Sequence, residues 1–171
     1  MKRLIKLALV PVIMVLCCHL TNAQSTRLQK KEAKQQAIKN LVENDSYVFE
    51  ANYALPQSGS ERQLTSTYDL RVRKDTIIAY LPYFGRAYLS PSPGETEGGI
   101  KFASTNFSYE EKQGKKGGWS ITIKPRDKNI TDWRDVQQMT LDISADGYAS
   151  LHVLSTNRDP ISFEGEIMAK D

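Results

Sequence analysis

The sequence predicts a mainly β, α+β fold: one antiparallel meander sheet of about eight strands, arranged as a sandwich or small barrel, with one N-terminal helix. Three observations carry this. From residue 46 to residue 171, apolar and polar residues alternate with a period of two, the mark of strands with one buried face. The runs are joined by short stretches rich in turn residues, and only Arg126–Asp135 has room for a crossover helix, so parallel pairing is not expected. Residues 24–45 contain no glycine or proline and carry apolar residues at helical spacing.

Residues 1–23 read as a cleaved signal peptide. Lys2, Arg3 and Lys6 precede an apolar core, Leu7–Leu20, that is short for a membrane span, and Ala23 ends it with a small residue. An uncleaved anchor is one alternative. Lipid attachment at Cys17 or Cys18 is another, but Leu16 stands where lipoprotein signals carry a small residue. Cleavage removes both cysteines, which excludes a disulfide framework, a thiolate metal site and a cysteine nucleophile. It also removes three basic residues and no acidic ones. The mature chain is then near neutral, and a general nucleic-acid or anionic-membrane role loses its main support. Its length suits one domain with a core.

Within the helix, Ala33, Ala37, Ile38, Leu41 and Val42 form the apolar stripe, which packs on the domain or docks a partner. Residues 46–171 form the β domain. Tyr47, Phe49, Ala51, Tyr53 and Leu55 are expected on one face, and Tyr68, Leu70 and Val72 oppose Asp69, Arg71 and Arg73. Thr76–Leu81 is apolar on both faces and predicts a covered strand. Ile100 and Phe102, then Phe107 and Tyr109 after a break in phase, continue the pattern. The groups 119/121/123, 139/141/143, 149/151/153 and 161/163/165/167 complete it. Lys74-Asp75, Gly114–Gly118, Asp146-Gly147 and Asn157–Pro160 read as turns.

Chemistry is sparse. His152, the single histidine left after cleavage, lies on the outward face of its strand with no thiol to share a metal, so no metal site or cofactor is expected. No G-x-S-x-G or phosphate-loop order is present. Glu164 and Glu166 share a strand face and, with Asp69, Glu110, Glu111 and Asp142, are the candidates for a carboxylate-based hydrolase. A non-enzymatic protein is the stronger expectation.

The stretch Leu81–Tyr88 (LPYFGRAY) is the best candidate site. Pro82 ends a strand, Gly85 is expected to turn the chain through a positive φ, Tyr83, Phe84 and Tyr88 supply rings, and Arg86 supplies a planar donor fork. Two readings stand. In one, Phe84 plugs an end of the sheet and Arg86 meets an internal carboxylate. In the other, Tyr83, Phe84, Gly85, Arg86 and Tyr88 rim a ligand pocket with Pro91–Gly98 as a flap.

LPYFGRAY, together with GGIKF (Gly98–Phe102), KKGGWSITI (Lys115–Ile123), DGYASLHV (Asp146–Val153) and ISFEGEI (Ile161–Ile167), resembles the DUF4251 family of secreted Bacteroidetes proteins. The resemblance implies a periplasmic or secreted location and a single β-rich domain, for which a lipocalin-like barrel is one form. It carries over no catalytic or ligand residue. It also makes Thr76, in Asp75-Thr76-Ile77, similar to an O-glycosylation acceptor of that phylum. The expected function is binding of a small apolar or amphipathic ligand. The alternative is docking of an envelope protein on the helix stripe or a sheet edge.

Overall fold

The structure, a computed structural model, describes residues 27–88, 98–127 and 136–169. The predicted signal peptide with Cys17 and Cys18, residues 91–97 of the predicted flap, and residues 128–135 lie outside them. The chain divides into two units, Met1–Ala37 and Ile38–Asp171. In the first, residues 27–37 are helical; this helix, α1, continues in the second to residue 43. Its stripe is used unevenly. Ile38 and Val42 are buried and Leu41 packs on the core, whereas Ala33 and Ala37 are exposed.

The strands are β1 (Tyr47–Pro56), β2 (Arg62–Val72), β3 (Ile77–Leu81), β4 (Ile100–Ser104), β5 (Phe107–Gln113), β6 (Trp119–Pro125), β7 (Val136–Ile143), β8 (Tyr148–Ser155) and β9 (Ile161–Met168). They form one sheet in the order β4-β3-β2-β1-β9-β8-β7-β6-β5, and every pair of neighbours is antiparallel. Following the alternation of direction around the sheet makes β4 and β5, the two outermost strands, run the same way. Only Thr105 and Asn106 separate them. They are therefore two halves of one bent strand, the first paired with β3 and the second with β6. The sheet is a nearly closed barrel of eight strand directions, which is how nine observed strands meet an expectation of about eight. The bend is held by Asn106, whose carbonyl accepts from Arg126 N (2.7 Å) and from Ser104 Oγ (3.1 Å).

The interior is filled by alternate residues from both flanks: Phe49, Leu70, Leu81, Ile121, Ile123, Met139, Leu141, Leu151 and Phe163 are all fully buried. Each large apolar side chain removed from water contributes about 1.5–3 kcal/mol, so with no disulfide among the described residues this packing carries the fold.

Two expectations about faces are corrected. Tyr53 and Leu55 do not share the inward face of Tyr47, Phe49 and Ala51. The register of β1 shifts between Ala51 and Tyr53, which turns Tyr53 outward and Ala54 inward. And β3 is not covered: Ile78 and Tyr80 are 37% and 44% exposed. Tyr80 stacks on Tyr68 (5.6 Å between ring centroids) and lies under the ammonium of Lys101 at 4.7 Å. Apolar character there serves aromatic stacking on an outer surface rather than burial.

The turns form as predicted. Arg73 and Thr76 exchange backbone hydrogen bonds across Lys74-Asp75, and Gly147 N donates to Ser144 O at the β7–β8 turn.

Candidate functional site

The 82–88 segment leaves β3 at one end of the barrel. Pro82 has no N–H to continue the ladder, so sheet pairing of β3 stops at Leu81 opposite Ile100. The Tyr83 ring then folds back over Gly85. A Cβ on Gly85 would stand 2.6 Å from the Tyr83 hydroxyl, so glycine is required by this close approach. That corrects the expectation of a positive φ, which Gly85 does not adopt. The Tyr83 hydroxyl donates to Arg86 O (2.9 Å) and Asp159 O (3.1 Å). Burial, then the nearby Asp159, pushes its pKa up.

The segment is stitched to the β8–β9 turn. Ala87 and Arg158 form a one-residue antiparallel bridge, with Tyr88 N donating to Asn157 O (2.8 Å) and Asp159 N to Arg86 O (3.0 Å). The Tyr88 hydroxyl donates to Asp159 Oδ1, and this hydrogen bond is the main cause of its raised pKa. Arg158, only 2% exposed, sets its guanidinium 4.8 Å from the Tyr83 ring centre and donates from Nη1 to Gly98 O (3.0 Å). The buried arginine of this corner is thus Arg158. Arg86, expected to meet an internal carboxylate, gives only its backbone N–H to Asp159 Oδ2 (3.4 Å), and its side chain is exposed.

Between this segment and the β1–β2 turn lies a cleft of about 460 Å³, lined by Pro56, Ser58, Gly59, Arg62, Phe84, Gly85, Arg86 and Asp159. Arg62 places its guanidinium 4.7 Å from the Phe84 ring centre. Of the five residues singled out from sequence, Phe84, Gly85 and Arg86 line the cleft. Tyr83 and Tyr88 anchor its wall instead, and Phe84 also packs partly on the core. The opposite wall was not anticipated. Its signal was the Ser58-Gly59 turn pair, which says where the chain reverses but not what it faces.

Of the other sequence candidates, two share a cleft. Asp142 and Glu164 line a second cleft of about 360 Å³ with Ser120, Ser150 and Tyr148, and they are two strands apart with Ser150 in register between them. Asp69 is buried and taken by Arg71, whose Nε and Nη2 both lie 2.8 Å from Asp69 Oδ2. His152 is exposed with Nδ1 2.9 Å from Ser162 Oγ, and no metal-binding group of three or more His, Cys, Asp or Glu occurs among the described residues. Thr76 sits at the β2–β3 tip and donates from Oγ1 to Asp75 Oδ1 (3.1 Å). No helix among the described residues is long and apolar enough to cross a membrane.

Inside the barrel, the Tyr47 and Tyr109 hydroxyls meet at 3.2 Å. Burial pushes both pKa values up, and Asp45 and Glu111 nearby add to it. Glu111 is itself raised by burial, then by Asp45 and Glu43.

No curated protein matches the chain. Its fold is similar to the crystal structure of a DUF4251 family protein from Bacteroides eggerthii, at 16% identity and a TM-score of 0.59, over 80% of this chain and 88% of that one. The family described as "Domain of unknown function (DUF4251)" matches residues 29–167, nearly the whole described span, and the chain belongs to that family.

Proposed function

We propose that the domain is a non-enzymatic binding protein that holds a small amphipathic ligand in the 460 Å³ cleft between the β1–β2 turn and residues 82–88. The observation that carries this is the division of labour in the aromatic segment. Tyr83 and Tyr88 spend their hydroxyls on fixing the loop, which leaves Phe84, Gly85 and Arg86 as a braced wall of a concave site. The volume falls within the range of small-molecule pockets, and a preformed wall lowers the cost of ordering on binding. Native mass spectrometry of the protein purified from its own cells tests it. A ligand mass that disappears in Phe84→Ala is expected; a bare polypeptide from both would sink the reading.

We infer a periplasmic or secreted location from the residue 1–23 pattern. Cell fractionation with determination of the mature N-terminus checks it, a start at Gln24 being expected. Intact mass would also show whether Thr76, at its hairpin tip, carries a glycan.

A second reading is favoured by the outer face of β3, where Ile78 and Tyr80 are exposed and Tyr80 stacks on the half-buried Tyr68 of β2. Envelope-protein docking there predicts one recurrent crosslinked partner, lost in Tyr80→Asp.

A further inference from the structure

We propose that the ligand of this cleft is an acid: an oxyanion, carboxylate or phosphate, carried on a small aromatic or apolar body. The inference rests on the cleft being the binding site and names the chemistry it selects. Two arginines, Arg62 and Arg86, line it. Among the described residues neither forms an ion pair with a carboxylate. The single carboxylate in the lining, Asp159, is already engaged: Oδ1 accepts from Tyr88 and Oδ2 from the Arg86 N–H. The cleft therefore presents two cations and one carboxylate, a lining of net positive charge. A net positive lining favours an anionic ligand over a cationic one.

Geometry agrees with charge. With its face on Phe84, Arg62 is held in place while the N–H groups at the edge of its guanidinium stay free to donate, and such a fork matches a carboxylate or phosphate oxygen pair. Ser58 adds a hydroxyl donor. Pro56 and the Phe84 ring supply an apolar wall for the rest of the ligand. A cationic ligand would meet two arginines against one carboxylate, and a neutral one would leave the net positive charge of the lining unanswered.

The test is a titration of the isotope-labelled protein, followed by backbone amide shifts, with four matched probes: 3-phenylpropanoate, phenyl phosphate, 3-phenylpropan-1-ol and 3-phenylpropan-1-amine. One or both acids should move the amides of Gly59, Gly85 and Arg86, and affinity should fall about tenfold or more in Arg62→Gln and in Arg86→Gln. The alcohol should bind at least about tenfold more weakly and the amine should not bind. Carboxylate over phosphate, or the reverse, identifies the oxyanion. Alcohol or amine binding as tightly as the acids at those amides overturns the acid preference and leaves the cleft reading standing. Acid binding that survives both arginine substitutions overturns it as well. If no probe of any charge moves those amides, the cleft reading fails and the acid proposal with it. Both arginines are exposed, so the variants should fold; unchanged amide shifts outside the cleft verify this.

Discussion

The two ends of the barrel are closed by different chemistry. At the end where β1 begins, the last turns of α1 press Ile38 and Val42 onto the core. The fit is tight: a Cβ on Gly147 would lie 2.8 Å from Ile38 Cδ1. At the opposite end, closure is by a loop held through hydrogen bonds to carbonyl groups and an arginine laid on a tyrosine ring. Aliphatic side chains close an opening by filling it. A loop hung on directional bonds spans the opening instead, and the room left beside it is the cleft. One end is thus expected to be rich in stability, the other in recognition.

Substitutions break or sharpen this contrast. The interior common to both ends sets the upper bound: Phe163→Ala should cost about 3–5 kcal/mol in urea unfolding. Ile38→Ala, at the filled end, should cost about 2–3 kcal/mol. The same end contains the Tyr47–Tyr109 pair, which makes its stability fall in alkali. The folded chain keeps these phenol protons above the ordinary value of 10.0. Their contribution is therefore complete below that pH and is lost above it, by up to about 1.4 kcal/mol per pH unit for the buried Tyr47 and by less for the more exposed Tyr109. Urea midpoints measured upward from about pH 9 should show this slope, and Tyr47→Phe should flatten it. At the spanned end, Tyr83→Phe removes a hydroxyl shared by two carbonyls and should cost about 1 kcal/mol. A cost equal to that of Ile38→Ala would erase the distinction. Smallest of all, His152→Ala on the outer face should change stability by under about 0.5 kcal/mol.

The filled parts of the molecule were legible in the sequence, and the spanned part much less so. Trp119, Ile121 and Ile123, or Ile161 and Phe163, announce their face because a strand side chain alternates whatever its partner is. Tyr53 broke the rule because a register shift belongs to the pairing of β1 with β2 and β9, not to β1 alone. The break in phase between Phe102 and Phe107 was visible, but not that it bends one strand to close the sheet. LPYFGRAY stood out through its composition. Its partners did not: Arg158 sits in an unremarkable turn, and Arg62 reaches the cleft only because β2 begins beside the end of β1. A site assembled from segments some seventy residues apart leaves no local pattern.

The bend at Thr105–Asn106 also shapes how the chain reaches its native state. Every strand pairing joins sequence neighbours except β1 with β9. Where β4 passes into β5, the backbone itself supplies the continuity. The entropy of bringing distant segments together is thus concentrated in one event, the meeting of Val48 with Met168 and its neighbours. Two runs of hairpins, β1 to β4 and β5 to β9, can form from near-neighbour contacts. The barrel then waits on a single closure, and the aromatic corner, which needs the β8–β9 turn beside the end of β3, is completed with it.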